Sequence, residues 1–174
     1  MSFEIIGTKK VYEGRVFNVR LDQIRLPNRR LIQADIIEHH NSVAIIPVDY
    51  DGNVWFVRQY RYPAEKNLLE LPAGVMDENE TPVQSAQREL REETGMAAER
   101  LTLLGEFYLA PGYSTEYMHV FLAEDLRPSP LSPNVDEFID LEKISYDQIL
   151  HMINNGDIYD AKSLAALFLW NMKA

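Results

Sequence analysis

The chain has no cysteine, which excludes a disulfide framework and any thiolate chemistry. No apolar run reaches the 18 residues that would read as a membrane-spanning helix. The opening MSFEIIGTKK also lacks the apolar core of a signal peptide. Basic residues are scarce: 17 Lys and Arg stand against 27 Asp and Glu, a net charge of −10. That balance argues against a general nucleic-acid binder, which needs a basic face. The four histidines, His39, His40, His119 and His151, have no metal-ligand spacing and read as structural or surface residues. There is no internal repeat, low-complexity segment or linker. What is present is 174 residues with 46% hydrophobic content, enough for one domain with a full core. The expectation is a soluble cytoplasmic protein with neither a membrane nor a nucleic-acid partner.

One stretch, Gly74 to Met96, organises the rest: GVMDENETPVQSAQRELREETGM. Its skeleton is Gly74, Glu80, Arg88-Glu89-Leu90, Glu92-Glu93 and Gly95-Met96. A chance match to seven fixed positions is on the order of 10⁻⁹ per starting position. Thr81 is a good N-cap, Pro82 suits the first helical position and Gln84 completes a capping box. Gly95 suits the stop, where a left-handed residue is wanted. Val83, Ala86 and Leu90 give an apolar stripe at helical spacing. Glu89, Glu92 and Glu93 stand at i, i+3 and i+4 and share one face, with Arg88 four before Glu92 and able to pair with it. A turn before the helix can bring Glu80 and the Ala73 carbonyl toward that face. Hard oxygen ligands of this kind suit Mg²⁺, or Mn²⁺. A merely solvated acidic face would explain neither glycine, nor Glu80, nor the arginine.

With those residues in place, the stretch resembles the Nudix box at every defining position. The resemblance implies an α+β fold, the Nudix α/β/α sandwich with a mixed sheet between helices. It also implies metal-dependent hydrolysis of a nucleoside diphosphate linked to another group. Glu89, Glu92, Glu93 and the Ala73 carbonyl would be the metal ligands, and Glu80 would play a supporting role.

Residues 1–40 read as a β arm and residues 41–174 as the hydrolase domain. Val11 to Leu26 reads as a strand with Phe17, Val19 and Leu21 alternating; Pro27-Asn28 turns it, and Leu31 to Glu38 returns. Arg25, Arg29 and Arg30 cluster at that turn. They read either as a solvated hairpin tip or as an arm, Arg29 included, that crosses to a second subunit and helps bind its substrate. Families similar to this one often dimerise that way, and a homodimer is expected.

Ser42 to Val48 reads as a buried strand, Asp51-Gly52 as a hairpin turn and Val54 to Tyr62 as an alternating strand. Trp55, Val57, Gln59 and Arg61 share one of its faces. That strand runs into LLELPAG, Leu68 to Gly74, so Arg61 is placed to bind a phosphate bidentately. Glu70 is either solvated or aimed into the cleft, and its spacing does not decide. Strands follow at Leu101 to Leu109 and Tyr117 to Ala123, joined by APGYSTE.

Pro111, 16 residues after Gly95, and the segment from Val57 to Gly74 resemble the ADP-ribose pyrophosphatase branch of the Nudix hydrolases. The resemblance implies that Arg61 contacts the diphosphate and that Glu116 lies beside the terminal ribose, although Glu116 also reads as an exposed loop carboxylate. Tyr108 and Tyr113 could stack on a base, but core or surface roles are commoner. Relatives in this branch often place the base in the loop that here spans Asp125 to Asp136. The matching positions are Val135 and Glu137, and the first is not acidic. Candidates for the base are Glu137, Asp136, Glu116 and Glu93.

A short strand is expected at Glu137 to Leu141. Helices are expected at Ser145 to Asn154 and Ala161 to Met172, the latter packing Leu164, Leu167, Phe168 and Trp170 on the sheet. The expected reaction is Mg²⁺-dependent hydrolysis of ADP-ribose to AMP and ribose 5-phosphate. Its rivals are hydrolysis of a nucleoside diphosphate hexose and a non-catalytic ADP-ribose sensor.

Overall fold

The computed structural model describes residues 2–132 and 138–173. They divide into two compact units. The first is the chain up to Asn41 together with Phe107–Met118; the second is Ser42–Glu106 and the chain from His119 onward.

The first unit is an antiparallel meander of β1 (Glu4–Glu13), β2 (Phe17–Arg25) and β3 (Leu31–His39). The single strand expected over Val11 to Leu26 is two strands. A turn at 14–16, closed by Gly14 N–H donating to the Phe17 carbonyl at 3.2 Å, separates them. Phe17, Val19 and Leu21 all belong to the second strand. At the other turn Arg29 takes a left-handed φ of 68°, and Asn28 Oδ1 accepts from the Arg30 N–H at 3.1 Å. The segment Ala110–Glu116 runs beside β3: Ile37 N–H donates to Tyr113 O at 2.8 Å, and Thr115 N–H donates to Ile37 O at 3.0 Å. This unit buries little apolar surface. Ile5, Val11, Tyr12, Phe17 and Leu31 are exposed, while Asp22 is buried among Arg20 and Thr8.

The second unit holds two sheets and three helices, the α+β architecture expected. Its four-stranded sheet orders β7 (Ala73–Val75), β4 (Ser42–Pro47), β9 (Tyr117–Pro128) and β8 (Met96–Tyr108). Its three-stranded sheet orders β10 (Ile139–Ser145), β5 (Asn53–Arg61) and β6 (Lys66–Glu70). Helices α1 (Pro82–Thr94) and α3 (Ala161–Lys173) both pack on β4, and α2 (Tyr146–Asn155) packs on β10. With both faces covered, β4 reads as a continuous apolar run, and Val43, Ala44, Ile45 and Ile46 are fully buried. Val43 and Ile45 join Ala86, Leu90, Ala98, Phe121 and Ala123 in one cluster. The Asp49–Gly52 turn forms as expected, with Gly52 at φ 80° and Asp49 Oδ2 taking the Trp55 indole N–H at 3.0 Å.

Several expectations need correction. Val83 is exposed, because its first-turn position precedes the point where α1 meets the sheet, and burial starts at Ser85. β8 begins at Met96, directly after the helix, rather than at Leu101. β9 runs through 125–128, which were expected to be loop, with Asp125 at a left-handed φ of 56°. The strand expected at Glu137 begins at Ile139. Phe168 faces outward, because α3 turns Ser163, Ala166 and Leu167 inward instead. Among the described residues, no helix is long and apolar enough to cross a membrane.

Candidate active site

Helix α1 is capped as its sequence dictates. Thr81 N–H donates to Gln84 Oε1 at 2.9 Å, and Gln84 N–H donates to Thr81 Oγ1 at 3.3 Å. Gly95 closes the helix at φ 73°. The buried face repeats every four residues: Ser85 and Ala86, Glu89 and Leu90, Glu93 and Thr94. Two of these are glutamates, Glu89 at 6% and Glu93 at 8% exposure. Burying a carboxylate costs several kcal/mol unless it is hydrogen-bonded or paired.

Strand β7 supplies part of that satisfaction, since its three residues each meet the helix. Ala73 N–H donates to Glu93 Oε2 at 3.1 Å. A Cβ on Gly74 would stand 2.0 Å from the Glu89 carboxyl carbon, so any side chain there would displace that carboxylate. The Val75 carbonyl accepts from Arg88 Nη2 at 3.0 Å. Pairing of Ala73 with Ala44 and Gly74 with Val43 ties this strand to the core.

Arg88 supplies the rest. Its guanidinium binds Glu80 with two parallel bonds, Nε to Oε1 and Nη2 to Oε2, both 2.8 Å. Its Nη1 donates to Glu89 Oε1 at 2.6 Å and to Glu92 Oε2 at 3.1 Å. Glu80 also takes the Asp77 N–H at 3.0 Å. The hydrogen bonds from Arg88 hold the Glu80 carboxyl down at about 2, and the same contact raises the Arg88 guanidinium above its ordinary value. Spacing alone pairs Arg88 with Glu92; the structure adds Glu80 as its bidentate partner.

Glu89, Glu92 and Glu93 all lie where β7 meets α1. Glu89 and Glu92 turn to Arg88, and Glu93 turns to the Ala73 N–H. Among the described residues, no three carboxylate or imidazole groups gather as a metal cage. The donor set nevertheless fits a hard divalent cation: three carboxylates beside a strand backbone, with a side-chain-free glycine facing one of them.

Arg61 is anchored rather than free. Its Nε and Nη2 donate to Glu70 Oε1 and Oε2 at 2.9 and 2.8 Å. Glu70 is 1% exposed and also takes Lys162 Nζ, which resolves the orientation its spacing left open. Burial alone would raise the Glu70 carboxyl, but Arg61 and Lys162 outweigh it and hold it below its ordinary value. Lys162 escaped the sequence reading. The available signal was a carboxylate set between Leu69 and Leu71, since a buried charge requires a cation nearby.

Glu116 belongs to the first unit, with its Oε1 3.8 Å from His39 Nδ1. Arg29 occupies the β2–β3 turn of that unit. Tyr108 packs edge-on against Tyr117 at 4.7 Å, and Tyr113 is exposed. Asp136 and Glu137 lie outside the described residues.

A family profile described as NUDIX domain matches residues 38–167. The chain is 33% identical over 170 residues to an ADP-ribose pyrophosphatase of Bacillus subtilis (strain 168), covering 97% of this chain and 92% of that one. It is 35% identical over 164 residues to a methanol dehydrogenase activator of Bacillus methanolicus, covering 93% and 89%. A solved structure, the crystal structure of an ADP compounds hydrolase, superposes with a TM-score of 0.90 at 25% identity, covering 99% of this chain and 94% of that one.

Proposed function

The chain belongs to the Nudix family and is a pyrophosphohydrolase of it; on that premise we propose that it hydrolyses the diphosphate bond of ADP-ribose, giving AMP and ribose 5-phosphate. The observation that carries this reading is the meeting of β7 with α1, where Glu80, Glu89 and Glu92 share Arg88 and Glu93 holds Ala73. The likeness over nearly the whole length to an ADP-ribose pyrophosphatase supports the substrate.

In this reading Glu89, Glu92, Glu93 and the Ala73 carbonyl would hold Mg²⁺, with Mn²⁺ as a substitute, which would supply charge neutralisation to the phosphate oxygens and the leaving group. Arg61 engages the diphosphate with the N–H groups that Glu70 does not occupy. Water attacks a phosphorus, the bridging P–O bond breaks, and a carboxylate takes the water's proton. Glu93 and Glu116 are the candidates for that role among the described residues, beside Glu137 and Asp136. Two chains pair through the exposed apolar residues of β1 to β3, and Arg29 then reaches the second chain's substrate. A cytoplasmic setting belongs to the same proposal.

The test is release of AMP from ADP-ribose with and without Mg²⁺, beside a nucleoside diphosphate hexose and a nucleoside triphosphate. Mg²⁺-dependent turnover of ADP-ribose above the others is expected. Preference for the hexose conjugate would keep the mechanism and replace the substrate. Binding without turnover would overturn both.

A further inference from the structure

A second charged cluster is built at the start of α3. Asp160 caps that helix: its Oδ2 accepts from the Ser163 N–H at 3.0 Å, the Ser163 hydroxyl at 2.6 Å and Lys162 Nζ at 2.9 Å. Ser163 is fully buried, and its Oγ takes the Leu71 N–H at 2.8 Å. Lys162 donates to Glu70 Oε2, the oxygen that Arg61 Nη2 also uses. One helix start therefore holds two successive residues, Glu70 through Lys162 and Leu71 through Ser163. Those residues lead directly into Ala73.

Exposure falls steeply across this cluster. The Arg61 side chain is 39% exposed, that of Lys162 13% and that of Glu70 1%. Arg61 is thus the outward end of a chain of contacts rooted in α3. A guanidinium held by two parallel bonds to one carboxylate cannot turn about its own axis, so its remaining N–H groups point in a fixed direction. An isolated arginine–glutamate pair would present almost no net charge to an anion. The ammonium on the same carboxylate leaves that balance unchanged, since Asp160 offsets it; what it adds is a second hold on the carboxylate that fixes Arg61.

We propose that Lys162 is a positioning residue for substrate: through Glu70 it fixes the plane of the Arg61 guanidinium and lets that group present its free N–H edge to the diphosphate. This rests on the reading above in which Arg61 contacts the diphosphate. Lys162 itself touches no substrate. Its effect passes through Glu70, so it falls on binding rather than on the chemical step.

The experiment compares wild type, Lys162→Met, Lys162→Arg, Arg61→Ala and the Lys162→Met/Arg61→Ala double variant, using ADP-ribose with saturating Mg²⁺. Lys162→Met is expected to raise KM about tenfold, the lower end of what outer partners of a site contribute, with kcat within about twofold. Lys162→Arg, which still donates to Glu70, restores KM. In the Arg61→Ala background the lysine change adds nothing to KM. If Arg61→Ala raises KM while Lys162→Met does not, the positioning role is overturned and the Arg61 reading stands. Unchanged KM in Arg61→Ala overturns the Arg61 reading and the positioning role with it. Loss of kcat and melting temperature together, unrescued by arginine and persisting without Arg61, marks Lys162 as purely structural and also overturns the role. Should Lys162→Met fail to fold, Lys162→Ala, which also removes the donor to Glu70, is read by the same outcomes.

Discussion

The carboxyl carbon of Glu89 lies 2.0 Å from the point where a Cβ on residue 74 would stand. With the Glu89 carboxylate in this position, residue 74 of β7 has room for glycine alone. Gly74→Ala must push the glutamate aside, because the methyl group grows from a backbone paired to β4 and cannot retreat. The expected outcome is a folded protein, destabilised by about 1–3 kcal/mol, with kcat reduced about 100-fold through misplacement of one carboxylate. Turnover measured beside a thermal melt separates the two effects. Normal kcat in this variant would remove Glu89 from the site.

Glu93→Gln keeps the oxygen that accepts the Ala73 N–H and removes only the charge. Its melting temperature should stay near that of wild type while kcat falls by about 10²–10⁴-fold. Near-normal turnover would exclude Glu93 both as a ligand and as a base.

Glu80 gives a pH signature. Its carboxyl is held at about 2 against an ordinary 4.5. A depressed carboxylate contributes stability that is fully present above the ordinary value and is lost as pH falls toward the folded one. In metal-free buffer the wild type should lose this contribution between about pH 4.5 and pH 2. Glu80→Gln should be less stable at neutral pH, with a flatter acid limb across that window. Urea unfolding from pH 2 to 7 reads the difference, and parallel curves would show that the Arg88 contact contributes nothing.

Arg88→Met leaves Glu80, Glu89 and Glu92 without their shared cation. The expected cost in EDTA is about 3 kcal/mol, in the range for breaking a largely buried ion pair. At the proposed metal site a divalent cation would supply positive charge to two of these carboxylates, Glu89 and Glu92. The stability gap between variant and wild type should therefore narrow in Mg²⁺, as read by melts in the two buffers. An equal gap in both would mean that metal and guanidinium act on different groups.

The boundaries of α1 were legible because its signals are local: Thr81, Pro82, Gln84 and Gly95 act within a turn of themselves. The apolar run of β4 was legible for a similar reason, since burial on both faces leaves no alternation to misread. Periodicity gives a residue's angle around a helix, not the point along the axis where that helix meets its sheet. Val83 has the right angle but stands too early. The rotation of α3 is set by the contact between Ser163 and the Leu71 N–H, 92 positions away in the chain, which no window of sequence contains. The same distance hid Lys162 as partner of Glu70. The turn at Gly14 was missed because one glycine without a second turn residue is weak punctuation.

Three carboxylates at the junction of β7 and α1, Glu80, Glu89 and Glu92, share one guanidinium, and Glu93 stands beside them, so the cluster carries an excess of negative charge. A diphosphate is itself an anion. The two repel, and at contact distance, well inside a Debye length, salt screens that repulsion little. Free protein should thus discriminate against the bare nucleotide, whose apparent affinity rises with divalent ion concentration. By linkage, the nucleotide must tighten the ion by the same factor. On the proposed metal site the carboxylates would act as a gate on occupancy as well as a part of the hydrolytic apparatus, with the ion and the nucleotide each admitting the other.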